Sequence, residues 1–351
     1  MKKAKRITSE DVARRAGVSR TTVSLVLNNV HTVQISEETR RRVFETAKTL
    51  GYVPDAAAQA LASRRVRVIG LVLTRSPHLV ASDSFLTQVL DGLIGIVHQH
   101  GMRLLIDIIE LQNDKDVYLD LVRGKRIDGI ILSGPRYNDE ILKLLEEQPF
   151  PTVLMGQLPG AGCCSVDVDN FKAAHQAISY LIRLGHTHIA CITNADPRYT
   201  AAADRLGGYR QALEDAGLVY DENYVRYGDF DPDSGYRQMR SLLVGNSQAS
   251  SPRITAAFVA SDVVAFGAKA AIRELGLRVP EDISLIGFDD VPFARYMDPP
   301  LTTIRLPAYD LGWAAGDTLI SLIRGETLET SQILLDTELI ERQSCAAPKS
   351  A

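Results

Sequence analysis

At 351 residues, with 45% apolar and 23% charged residues, the chain has room for two or three domains and the balance of a soluble globular protein. No apolar run approaches the roughly 20 residues that span a bilayer, and the basic start MKKAKRITSE leads into no apolar stretch, which argues against a membrane span or a secretory signal. The net charge of −4 hides an asymmetry, because residues 1–65 carry 13 Lys/Arg against 6 Asp/Glu while the remainder carries 26 against 37. A basic head on an acidic body directs the head towards a polyanion, although a solvated charged face could give the same count.

The first element begins at Thr8-Ser9-Glu10-Asp11, a hydroxyl N-cap followed by acids, with Val12, Ala13 and Ala16 recurring at helical spacing. Gly17 supplies a turn, Ser19 caps a second helix, and Val23, Val26 and Leu27 form its apolar stripe. A third helix from Ser36 is expected to carry Val43, Phe44 and Ala47 inward. Three short helices around one small core, the first two joined at Ala16-Gly17-Val18, make a helix-turn-helix. Arg20, Thr21, Ser24, Leu25 and Asn28 then face outward. Thr22, Ser24, Asn28 and the Arg40–Arg42 run suit phosphates, whereas Arg20, Thr21 and Leu25 suit base edges. In YVPDAAAQALASRR, Pro54 stops the preceding segment and Asp55 caps a short Ala-rich helix. A helix this short is marginal alone, so it is either a plain linker or a segment that folds on DNA, with Leu61 as a minor-groove wedge.

ITSEDVARRAGVSRTTVSLVLN, ISEETRRRV and GYVPDAAAQALAS resemble the headpiece and hinge helix of the lactose/galactose repressor (LacI/GalR) family, apart from a lengthened loop around Val30–Gln34. The resemblance implies that Arg20, Thr21 and Leu25 choose the operator and that Leu61 is the minor-groove lever. Leu25 departs from the best-known member, which has arginine there. The expected DNA-facing set is Thr8, Arg20, Thr21, Thr22, Ser24, Leu25, Asn28, Ala58 and Leu61.

From Arg67 the pattern changes. VRVIGLVL, RLLIDII, DGIILSG, TVLMG, HIACIT, AAFVAS and ISLIGFDD read as buried strands, and helical stretches such as NFKAAHQAISYLIRLG alternate with them. That alternation indicates parallel sheets covered by helices, and the strand number indicates two subdomains. Ligands bind beyond the carboxyl ends of such strands. This rule selects Ser133, Asp167, Asp169, Asn194, Asp262 and Asp289–Asp290, with Arg205 as a donor and Phe85, Tyr199, Phe230 and Phe293 as apolar faces. Helix caps and strand-end turns account for some of these polar residues, Asp262 and Asp167 first.

GHTHIA, DRLGGY, GDFDPDSGY, ELGLRVPEDISLIGFDD and PPLTTIRLP extend the resemblance to the periplasmic-binding-protein-like effector core of the same family. It implies that Arg205 and Asp289 clamp an effector and that Asp169 and Phe230 line its pocket. Phe85, Ser133 and Tyr199 complete the expected effector set. Purine-binding relatives carry an arginine where this chain has Tyr199, so a sugar or related polyol is favoured over a purine. The family pattern places chain crossings near 164, 294 and 323. The expected division is therefore a helix-turn-helix head (1–50), a hinge (51–65), a first subdomain (66–164 and 295–322) and a second (165–294 and 323–351). The tail SCAAPKSA holds no leucine heptad, which favours a homodimer, and a two-fold operator suits one.

No GxxxxGK[ST], HExxH or GxSxG motif occurs, and His186 and His188 lack a third metal ligand. Side chains one apart on a strand point to opposite faces, so Asp289–Asp290 is a poor glycosidase pair. Cys163, Cys164, Cys191 and Cys345 show no metal spacing and fit reduced thiols in a cytoplasm. The expectation is a DNA-binding regulator without cofactor, metal or membrane partner, most simply a repressor. It would bind a palindromic operator as a dimer and be switched by a small polar effector in the cleft between subdomains. The alternatives are a sugar-binding protein without a regulatory role, a purine-responsive regulator and an enzyme on the same fold.

Overall fold

The computed structural model describes residues 7–28, 33–53, 55, 65–109, 122–137, 142, 150–245 and 254–349, which divide into compact units at Arg67/Val68. The head unit is three helices, α1 (Ser9–Ala16), α2 (Arg20–Leu27) and α3 (Glu37–Leu50). Each start is fixed by a side-chain cap. Thr8 and Asp11 form a reciprocal capping box, and Ser19 and Ser36 accept from Thr22 N and Thr39 N. Gly17, at φ 65°, closes α1 in the left-handed conformation and lets α2 leave at once. Val12, Ala13, Ala16, Val23, Val26, Val43 and Ala47 make the core, with Leu27 packed at its edge. Phe44 departs from the expectation: it is 48% exposed. Val43 and Ala47 are four apart and share the inward face, and Phe44, one residue after Val43, is turned about 100° round the helix from it. The proposed hinge contacts Ala58 and Leu61 lie outside the described residues.

The larger unit holds two six-stranded sheets. The first has the order β11-β5-β4-β3-β1-β2 and is wholly parallel. Its strands are β1 (Val68–Leu73), β2 (Arg103–Ile108), β3 (Gly129–Ser133), β4 (Thr152–Met155), β5 (Cys164–Val168) and β11 (Gln332–Leu335). The second has the order β12-β10-β9-β8-β6-β7, parallel except where β12 (Glu338–Ile340) runs against β10 (Thr302–Arg305). Its other members are β6 (Ile189–Thr193), β7 (Val225–Tyr227), β8 (Ala256–Val259) and β9 (Ser284–Asp289). We call the layers around these sheets the first and second lobes.

The crossings lie later than the sequence pattern suggested. β5 belongs to the first sheet, so the chain crosses after Val168 rather than near 164. β10 belongs to the second, so the return falls after Arg305 rather than near 294. The third crossing is at Asp336–Thr337 rather than near 323, and ILLDTELI is two strands, one in each sheet. Which sheet a strand joins is decided by its hydrogen-bonded neighbours, and its own residues carry little trace of that choice.

Helices α5 (Ser84–Gln99) and α10 (Ala308–Arg324) pack in the first lobe so closely that a Cβ on Gly312 would lie 2.0 Å from the Val89 carbonyl oxygen. In the second lobe, α6 (Asn170–Arg183) and α7 (Thr200–Asp215) pack on one another, as do α8 (Pro232–Gly245) and α9 (Asp262–Glu274). The short helix α4 (Pro77–Ser82) precedes α5. The carboxyl ends of β1, β3 and β4 in one sheet, and of β6 and β9 in the other, supply residues to one shared cleft.

Candidate functional site

On the head, Arg20, Thr21 and Ser24 are exposed, while Thr22, Leu25 and Asn28 are half-buried. Asn28 Nδ2 donates to Ser24 Oγ at 3.2 Å, and the Thr22 and Ser19 hydroxyls lie 2.9 Å apart. Thr8 and Thr22 are therefore committed partly to helix starts. α2 offers one cation and three hydroxyls along a face free of acids, which suits a phosphate-lined groove. The arginine run on α3 is split in its duties. Arg40 is buried, Arg42 Nε donates to Ala16 O at 3.0 Å and ties α3 to the end of α1, and Arg41 is exposed.

The interlobe cleft offers about 790 Å³ of space, its open mouth included. Of the residues in the expected effector set, Phe85, Ser133, Tyr199, Arg205, Phe230 and Asp289 line it. Asp169 does not. It is exposed and caps α6, accepting from Lys172 N at 2.8 Å. Two residues earlier on the strand, Asp167 reaches the cleft instead, followed by Asn170 from the first turn of α6. The strand-end rule selects both aspartates, with Asp167 the first to be yielded to a cap or turn role. β5 runs on to Val168, so Asp167 is a strand residue at the cleft while Asp169 starts the helix.

Arg205 is almost fully buried and rigidly held. Its Nε donates to Asn170 Oδ1 at 2.9 Å and its NH1 to Ala260 O at 2.6 Å, with Asp289 Oδ1 at 3.8 Å. Its guanidinium lies 3.9 Å from the Phe288 ring centroid. Desolvation pushes the Asp289 carboxyl up to about 7 against the pull of Arg205, and pushes Asp167 up to about 6. Asp289 also holds φ at 115°, a strained position of the kind that gathers at ligand sites.

Arg75 and Asp83, which the strand-end reading missed, form a 2.6 Å ion pair, and Asp83 accepts from Phe85 N and Leu86 N at the start of α5. Arg75 sits two residues after β1, where the carboxyl-end rule would have found it. Asn194 lines the cleft after β6, and its buried Oδ1 has no hydrogen-bond partner among the described residues.

Other candidates fall to structural duties. Asp262 is buried and accepts from Val291 N and Thr303 Oγ1, and Asp290 binds Arg305 and Arg342. Asp289 and Asp290 thus point apart. Phe293 is 63% exposed and outside the cleft. His186 lies between Thr255 Oγ1, Ser284 Oγ and Ala346 O, and burial lowers its affinity for a proton. Among the described residues no group of His, Cys, Asp and Glu could hold a metal ion, and no helix is long and apolar enough to cross a membrane.

Residues 8–55 match the family of bacterial regulatory proteins of lacI type, and residues 178–345 match the periplasmic binding protein-like domain. The repressor PurR of Klebsiella pneumoniae (strain 342) is 38% identical over 343 residues, covering 97% of each chain. The chain belongs to the LacI family. It is a DNA-binding transcriptional regulator with that family's helix-turn-helix head and two-sheet core. The regulator CelR of Thermobifida fusca is 34% identical over 347 residues, 98% of this chain and 100% of that protein. A solved CelR–cellobiose complex superposes with a TM-score of 0.74 at 34% identity, covering 97% of this chain and 100% of the other. A lac repressor dimer bound to operator and an anti-inducer gives 0.83 at 29% identity, covering 98% and 100%. Its relatives are transcriptional regulators in name as well as in fold.

Proposed function

We propose that this LacI-family member represses transcription in the cytoplasm by binding a palindromic operator as a homodimer, without catalytic activity, and that a neutral polyhydroxylated effector, a sugar, occupies the cleft. The operator surface is the outward face of α2 with Arg20, Thr21, Ser24 and Leu25, joined by Ala58 and Leu61 of the hinge segment. A head, a hinge and two lobes with crossings at 168/169, 305/306 and 336/337 are the working parts.

The balance of charge in the cleft carries the choice of effector. Arg75 is spent on Asp83, and Arg205 is already bonded by Asn170, Ala260 and Asp289. Asp167 is bonded by the Asn170 amide and the Val168 backbone, and no arginine lies within hydrogen-bond distance of it among the described residues. Three carboxylates against two committed arginines disfavour an anionic ligand and favour one rich in hydroxyl donors. Phe85 and Phe230 supply the apolar faces that sugar rings stack on. CelR, a relative solved with cellobiose, supports the same class. A purine remains the second reading on the strength of the PurR similarity. The Tyr199 hydroxyl, which donates to Thr74 O at 3.0 Å, gives a purine no free cation at that wall.

A thermal-shift screen of the full chain against neutral sugars, sugar phosphates, polyols and purines tests this. A ligand at a hundred times its dissociation constant stabilises by about 2.7 kcal/mol, a rise of several degrees. A neutral sugar or polyol should be the strongest hit. A sugar phosphate or purine binding more tightly overturns the assignment. Leu61→Ala should weaken specific operator binding and spare non-specific binding at fixed salt, and unchanged specificity removes the hinge from the reading surface.

A further inference from the structure

Tyr199 lines the cleft, yet its hydroxyl is committed to partners on the first lobe. Its hydroxyl donates to Thr74 O and accepts from Arg136 NH2, which also donates to Thr74 O at 3.1 Å. Thr74 and Arg136 follow β1 and β3 of the first sheet, whereas Tyr199 follows β6 of the second. These bonds therefore span the lobes. The backbone joins them there, with Arg136 and Tyr199 forming an isolated antiparallel bridge. Tyr137 N donates to Arg198 O at 2.9 Å, and Thr200 N donates to Pro135 O at 3.1 Å. The Arg136 guanidinium stacks 4.1 Å from the Tyr199 ring centroid, and Arg75 stacks 4.4 Å from that of Phe230. Tyr199 and Phe230 meet edge to face at 5.3 Å.

The geometry points to a clasp. Arg136 and Tyr199 are positioning residues that hold the lobes closed across the cleft without any ligand atom. The clasp carries its own counterweight. Among the described residues, Arg136 Nε and Asn194 Oδ1 are buried without hydrogen-bond partners, and each such group opposes the state in which it is buried. A clasp of a few hydrogen bonds set against two orphaned polar atoms is poised near balance, so a modest ligand contribution moves it. An effector hydroxyl that donates to Asn194 Oδ1 would remove one of the opposing terms. The inference extends the functional reading and holds whatever the effector is.

Amide exchange on the ligand-free full chain tests it, because exchange of a protected amide reports the population of the opened state. Tyr199→Phe keeps the ring and deletes the hydroxyl, and Arg136→Ala deletes the stack. In both, the Tyr137 and Thr200 amides should exchange about tenfold faster, the scale of one or two lost hydrogen bonds. Intralobe amides should not change, with Ala260 N (to Ile192 O) and Gly134 N (to Met155 O) as references. Unchanged exchange at Tyr137 and Thr200 overturns the clasp. Equal acceleration at the two reference amides also overturns it, because the residues would then be supporting the fold at large.

Discussion

Burial raises the Asp167 carboxyl to about 6, with its Val168 backbone bond, Arg205 and Asn170 pulling the other way. Between the ordinary carboxylate value and about 6, the folded chain keeps a proton that the unfolded chain has released. This group's contribution to stability therefore falls as pH rises through that window, and its full cost is present at pH 7.5. Asp167→Asn removes the charge in nearly the same shape. It should stabilise the ligand-free protein at pH 7.5 by about 1–2 kcal/mol after solvent screening, with the gain shrinking towards pH 4. The same variant should lose effector affinity, since the carboxylate is the stronger acceptor for a hydroxyl. Melting curves at the two pH values decide it. An equal shift at both would mean that packing, not charge, sets the change. Asp289 is raised for the same first cause, but Arg205 lies beside it. The net rise means that Arg205 offsets only part of that desolvation, so the Asp289 charge too costs the folded state more as pH rises towards about 7.

At the scale of elements, the helix pair α5 and α10 shows what close approach demands. Gly92 faces the Tyr309 carbonyl and Gly312 faces the Val89 carbonyl, each with 2.0 Å between a built Cβ and the oxygen. Neither oxygen belongs to a flexible side chain, so the helices themselves must part. Gly312→Ala should cost about 1–3 kcal/mol through overpacking, read as an earlier denaturation midpoint. An unchanged midpoint would mean that the pair can slide apart freely. Periodicity exposed most elements, since a buried parallel strand and an amphipathic helix each repeat within a few residues. It also exposed the caps at Thr8, Ser19 and Ser36, whose hydrogen bonds are local. Long-range pairing was another matter. Phe44 directly follows the inward Val43 and faces out, and Asp169 was preferred to Asp167 because the end of β5 is set by its pairing with β4 and β11. Arg75 lay within reach of the carboxyl-end rule, two residues past β1, whereas its pairing with Asp83 across α4 is encoded by no spacing rule.

Across the whole molecule, function requires that a cleft in one unit alter the behaviour of a head in another. On the proposed reading, Arg205 is the point where such coupling would be cut. It touches Asn170 on α6, Ala260 beyond β8 and Asp289 at the end of β9, so a ligand on its guanidinium engages three elements of the second lobe at once. An effector moves the DNA equilibrium only by its difference in affinity for two conformations. By linkage, operator and effector must then change each other's affinity by the same factor. For a switch of this kind that factor should fall in the range of about 5 to 150. Arg205→Ala should bring it to one while operator binding without effector stays near the parent value, because the head carries its own core and caps. Titrating operator with and without the best ligand of the screen, in parent and variant, measures both quantities. A variant that still responds would place the switch elsewhere in the cleft. A variant that loses operator affinity without any ligand would show that Arg205 supports the DNA-competent conformation itself.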